Sequence, residues 1–117
     1  MLLMLLFATT ASAEKIDILK IYEQFTLASA AAGKCLKPKK EELTSFLANY
    51  QIVSVSALTE LKKRKSGLSN EQASKTLKAG GKKLTNVVYD VIDTEGCESP
   101  KIQDLIKRFH MQASWKP

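Results

Sequence analysis

The sequence predicts an all-α protein: a four-helix up-down bundle with three longer helices and a shorter C-terminal helix, tied by one disulfide and preceded by a signal peptide. Three observations carry this. Apolar residues recur at three- and four-residue spacing through four stretches, which places them on one helix face each. Short connectors bearing Gly, Ser or Pro separate the stretches and favour antiparallel neighbours. The only two cysteines, Cys35 and Cys97, follow the first and third stretches and therefore fall at the same pole of such a bundle.

Residues 1–13, MLLMLLFATTASA, form an apolar run ending in Ala11-Ser12-Ala13, the small-residue pattern of a signal-peptidase site. The run is shorter than the roughly 20 helical residues needed to span a bilayer, and it lacks the usual basic start. Residues 14–117 are then a single α-helical domain of 104 residues, large enough for one core. An exported chain with two cysteines is most simply a disulfide protein, and together these features place it in the periplasm or outside the cell.

The first helix is expected from about Lys15 to Ala32, with Ile18, Leu19, Tyr22, Phe25 and Ala28 inward and Gly33 as its stop. A connector, Lys34 to Pro38, carries Cys35. The second helix has Pro38 near its first turn and Glu41 and Glu42 against the positive end of its dipole. Its inward residues are Phe46, Leu47, Tyr50, Val53, Ala57, Leu58 and Leu61. Ile52 to Ser56 alternates as a short strand would. The helical register nevertheless continues on both sides of it, and no turn residue interrupts positions 39–65.

Lys62 to Lys65 end that helix with positive charge, and Ser66-Gly67 makes the turn. Ser69 and Gln72 then have the spacing of a capping box. The third helix continues with Ala73, Leu77, Leu84, Val87, Val88, Val91 and Ile92 inward, and Gly96 stops it. Its last part, Lys82 to Cys97, has the clearest apolar pattern in the chain and is expected at the centre of the bundle. Gly80-Gly81 is read as a place of close helix approach, with a hinge as the competing reading. Ser99-Pro100 opens the fourth helix, which runs to about Ala113 with Ile102, Leu105, Ile106 and Phe109 on one face. That face serves equally as core or as a dimer contact, so a homo-oligomer stays open. Trp115 is expected to pack over the open end of the bundle.

Charge is the feature with functional content. The chain carries +6, all of it after residue 13. Residues 62–83 hold Lys62, Lys63, Arg64, Lys65, Lys75, Lys78, Lys82 and Lys83 against Glu71 alone, a balance of +7 that leaves −1 for the rest. Helix-end chemistry accounts for Lys62 to Lys65 but not for Lys75, which sits where a cation opposes the dipole. These eight residues are the candidate patch for an anion or a partner, weighed against an ordinary solvated face. Nucleic acid is disfavoured, since positions 51–88 contain no aromatic residue on which a base could stack.

Catalytic equipment is sparse. The single histidine, His110, is expected at a surface or boundary, and no nucleophile, zinc or phosphate-loop motif is present. Asn86, Asp90 and Asp93 share one helix face and are read as a solvated stripe rather than a metal or glycosidic site. No cofactor and no metal is expected, and the chain is read as no enzyme. The functional expectation is an exported interaction protein that binds a protein partner, as immunity proteins, inhibitors and chaperones do. The alternative is a cationic module that binds the envelope or a membrane surface through the basic 62–83 hairpin.

Overall fold

The computed structural model describes residues 17–117, so the signal-peptide reading of residues 1–13 lies outside the described residues. The described residues form four α-helices: α1 (Ile18–Cys35), α2 (Lys40–Arg64), α3 (Asn70–Glu95) and α4 (Pro100–Ala113). Cys35 and Cys97 are joined by a disulfide with their Cα atoms 5.6 Å apart.

Local chemistry sets most boundaries. Asp17 caps α1, its carboxylate accepting from the backbone N–H groups of Leu19 (3.2 Å) and Lys20 (3.4 Å). The helix thus starts at Ile18, three residues later than the apolar pattern alone implies. At its other end α1 runs through Gly33 and closes at Cys35, where the N–H of Leu36 donates to Ala32. Gly33 is therefore no stop. One glycine costs a helix only about 1 kcal/mol. Leu36, packed on the core, and the disulfide together hold the extra turn in place. The second helix begins at Lys40, beyond Pro38, and Lys39 caps it without a side-chain bond.

Ser69 and Gln72 make the expected reciprocal capping box. Gly67 and Gly96 adopt positive φ at the turns after α2 and α3, a conformation that glycine takes without a Cβ penalty. Pro100 stands at the start of α4, with Ser99 as its cap.

The centre of the molecule is α1, which packs more extensively against the other three helices than any of them does against the rest. This corrects the expectation that the end of α3 is central. The reason lies in residue size: Ala28, Ala30, Ala31 and Ala32 are all buried, and these small side chains let neighbours approach α1 from several sides at once. A strongly apolar stripe such as that of α3 marks a helix with only one buried face.

Two clusters make the core. In the first, Phe25 and Ala28 of α1 meet Phe46 and Val53 of α2 and Phe109 of α4. In the second, Ala30 and Ala31 meet Val88 of α3 and Ile102 of α4. Phe46, Val53, Ile102 and Phe109 are fully enclosed, and burying each such side chain contributes about 1.5–3 kcal/mol. The apolar face of α4 is thus core. Two residues expected inward point outward: Leu47 is 51% exposed and Val87 56%. Each lies at the margin of its helix's apolar arc, where the 3.6-residue period leaves the choice to the neighbours.

Candidate functional site

The basic hairpin is built from the end of α2, the turn and the first half of α3, and the eight predicted residues divide into two groups. Arg64 is engaged within the fold. Its Nε donates to Glu60 at 2.9 Å and its guanidinium reaches Asp17, the cap of α1, at 3.4 Å. The bond to Glu60, reinforced by the charges of Asp17 and Glu60, pushes its pKa above the ordinary arginine value. Lys62 is half-buried and donates to the side-chain oxygen of Asn70, bracing the turn. Both residues therefore explain themselves structurally.

Lys63, Lys65, Lys75, Lys78, Lys82 and Lys83 are exposed, and none forms an ion pair among the described residues. At 100° per residue, Lys75, Lys78 and Lys82 share the outer face of α3, opposite buried Ala73, Gly81 and Val88. From Lys75 to Lys82 the stripe is about 10 Å long. Lys83 points elsewhere, lining a groove between α1 and α3 whose other bank carries Leu19, Tyr22 and Glu23. Lys63 and Lys65 stand apart at the end of α2. The structure thus resolves the patch into a three-lysine stripe with outliers rather than one surface.

The same face of α3 changes sign further along. Asn86, Asp90 and Asp93 continue it and are all exposed, so the lysine stripe is bounded by carboxylates about two turns beyond Lys82. No group of three or more metal-ligating side chains exists among the described residues.

Gly81 is where α3 meets α1. A Cβ there would lie 3.4 Å from the Tyr22 hydroxyl and 3.6 Å from Cγ2 of Thr26. Gly80 faces open space, and nothing in the structure explains it. The helix is continuous through both, so the pair is no break. The polar bridge beside it links three helices. Thr26 donates to the Tyr22 carbonyl (2.9 Å) and so accepts a hydrogen bond from the Tyr50 hydroxyl at 2.6 Å, while the Tyr22 hydroxyl donates to the Leu77 carbonyl. Burial, then the neighbouring Tyr50, raises the Tyr22 pKa above its ordinary value.

His110 lies on the surface, its Nδ1 2.6 Å from a carboxylate oxygen of Glu42. Trp115 lies edge-on to Phe25 at 6.4 Å and closes one side of an apolar cleft of about 430 Å³ with Ile18, Ile21 and Met111. Sequence reasoning missed Asn49, buried in α2, and the exposed side of that helix, although its uncharged run is plain in the sequence.

Compared with protein-family models, curated proteins and solved structures, the chain matches none. No helix among the described residues is long and apolar enough to cross a membrane. With the disulfide, this is compatible with export.

Proposed function

We propose that this chain is an exported, non-catalytic interaction protein, an up-down bundle in the periplasm that binds an acidic protein partner through Lys75, Lys78 and Lys82. The observation that carries the reading is the stripe itself: three exposed lysines within two turns on one face of α3, none paired, where no helix-end role accounts for Lys78 and Lys82. The pairing of Asp17 with Arg64 and of Cys35 with Cys97 supports the helix directions. Single exposed lysine contacts are worth about 0.2–1 kcal/mol, so the stripe acts collectively and its binding weakens with salt.

The bounded length of the stripe favours a protein over a flat anionic surface. A bilayer lying along α3 would meet Asp90 and Asp93 as well as the lysines, whereas a discrete acidic patch can match about 10 Å. Among the large exposed apolar residues only Val87 lies on α3, so the hairpin also offers little to insert into lipid.

The test uses the oxidised protein as bait in envelope extract, beside a Lys75→Glu, Lys78→Glu, Lys82→Glu variant. A protein retained by the wild type at moderate salt and lost by the variant, then bound again as a purified pair, supports the reading. Binding to phosphatidylglycerol vesicles at low salt, with no protein retained, replaces it with the envelope-surface alternative.

A further inference from the structure

From Leu43 to Thr59 the chain has no charged residue, 17 positions in a row in a protein that is 26% charged. This run is the middle of α2. Its inward side uses Phe46, Val53, Ala57 and Leu61. Its outward side carries Ser45, Ala48, Ile52, Val55 and Thr59, all exposed, with Ile52 44% and Val55 56% accessible. A long exposed helix face without charge is informative in a way that a single exposed apolar residue is not.

The spacing adds to this. Glu41, Ser45, Ala48, Ile52, Val55, Thr59 and Lys62 alternate by four and three residues, the period of 3.5 along which two helices lie against one another. The ends of the stripe are oppositely charged, Glu41 at the start and Lys62 and Lys63 at the finish. An antiparallel pairing of two such stripes about Ile52 sets Glu41 opposite Lys63, eleven positions to either side, and Ser45 opposite Thr59, seven to either side. A parallel pairing would oppose Glu41 to Glu41 and Lys63 to Lys63. About Ile52 the Ser45–Thr59 and Glu41–Lys63 levels thus match across a two-fold axis, and Ala48 falls level with Ser56 and next to Val55 of the other copy, as an isologous dimer contact requires.

We infer that the outer face of α2 binds a second copy of this chain, antiparallel, with Ile52 on the two-fold axis and Glu41 of each copy facing Lys63 of the other. Ser45, Ala48, Ser56 and Thr59 are small enough to let the two helices approach closely, and the Ile52 and Val55 side chains supply the apolar contact. An anionic partner finds no cation between positions 43 and 59. One helix seam is small beside the standard interface of roughly 1,600 Å², so the dimer belongs to the weak, transient class. The inference is independent of the acidic-partner reading, since Lys75, Lys78 and Lys82 lie on α3, outside the seam.

The experiment combines two readouts on the oxidised protein. Ile52→Cys places a free thiol on the axis, and Val87→Cys places one at a somewhat more accessible position on α3. Under mild oxidation Ile52→Cys should form a covalent dimer at least tenfold faster, and equal rates would overturn the inference. Sedimentation equilibrium up to about 1 mM then reads the register, a range that brackets a weak association. Glu41→Lys and Lys63→Glu should each weaken the dimer about tenfold, and the double variant, which exchanges the charges, should restore it. A wild type that remains monomeric throughout, or a double variant weaker than both single variants, would exclude this pairing.

Discussion

The side-chain amide of Asn49 in α2 donates to the backbone carbonyl of Trp115 at 2.9 Å, 66 positions along the chain, and also to that of Gln112 at 2.8 Å. Asn49 is 6% exposed. Gln112 lies in the last turn of α4, where carbonyls lack a partner within the helix, and Trp115 lies in the tail beyond it; α2 supplies a donor to both. One side chain thus fastens the C-terminal tail to the bundle.

Replacing Asn49 by Leu should destabilise the fold by about 1–3 kcal/mol, because the Trp115 carbonyl loses its donor and the Gln112 carbonyl keeps only the N–H of Trp115. Asn49→Asp should cost more at neutral pH, since a carboxylate then faces carbonyl oxygens. Urea unfolding measures both, and Trp115, the only tryptophan, should shift its emission to the red as the tail is released. An Asn49→Asp protein as stable as the leucine variant would contradict this account.

The disulfide closes a sequence separation of 62 residues, and constraining the unfolded chain over that loop is worth roughly 4 kcal/mol in the chain-entropy description. A Cys35→Ser, Cys97→Ser protein should therefore lose a large part of a small domain's stability while retaining helical circular dichroism at low temperature. A loss below about 1 kcal/mol would mean that the helix ends are held by packing alone.

Gly80 and Gly81 separate two effects. Gly80→Ala adds helix propensity in open space and should stabilise by about 0.5–1 kcal/mol. Gly81→Ala gains the same propensity, but its new Cβ touches the Tyr22 hydroxyl, so the net gain should be smaller. Gly81→Leu should destabilise by prising α3 from α1. Thermal unfolding of the three variants gives the order, and an equal gain for both alanines would show that Gly81 has no packing role.

Two groups make stability depend on pH in opposite directions. The Ser99 hydroxyl, donating at 2.8 Å, and then the charge of Lys101 hold Glu95 below its ordinary carboxyl value of 4.5. A depressed carboxyl stabilises above its unfolded pKa and loses that contribution as pH falls through the folded one. The stability difference between wild type and Glu95→Gln should accordingly narrow on acidification below 4.5. Tyr22 is raised above 10.0, by burial first. Its neutral form is favoured, so its contribution is complete below 10.0 and fades as pH climbs through the folded value. Tyr22→Phe should remove that alkaline loss, and matched acid and base titrations of the variants read both signs.

Much of the fold was legible because it rests on neighbours in sequence. The capping box of Ser69 and Gln72, the Ser99-Pro100 start and the turns at Gly67 and Gly96 each involve residues within a few positions of one another. The strand-like Ile52 to Ser56 stretch is helical, as its flanking register indicates, and places Val53 in the core. The cysteine positions were enough to expect the disulfide that forms. The eight basic residues were legible as a cluster, but not the engagement of Arg64 with Asp17, a partner 47 positions away.

By itself, then, the sequence determined four helices, their approximate ends, one disulfide and a concentration of positive charge, since periodicity, caps and composition are local properties. Tertiary structure alone decided that α1 is the centre, that Leu47 and Val87 face outward, that Asn49 holds the tail, and which lysines stand unpaired. The physical reason is common to all four. Each depends on what lies across a helix–helix contact, and burial there follows from the size and shape of side chains that are far apart in the chain.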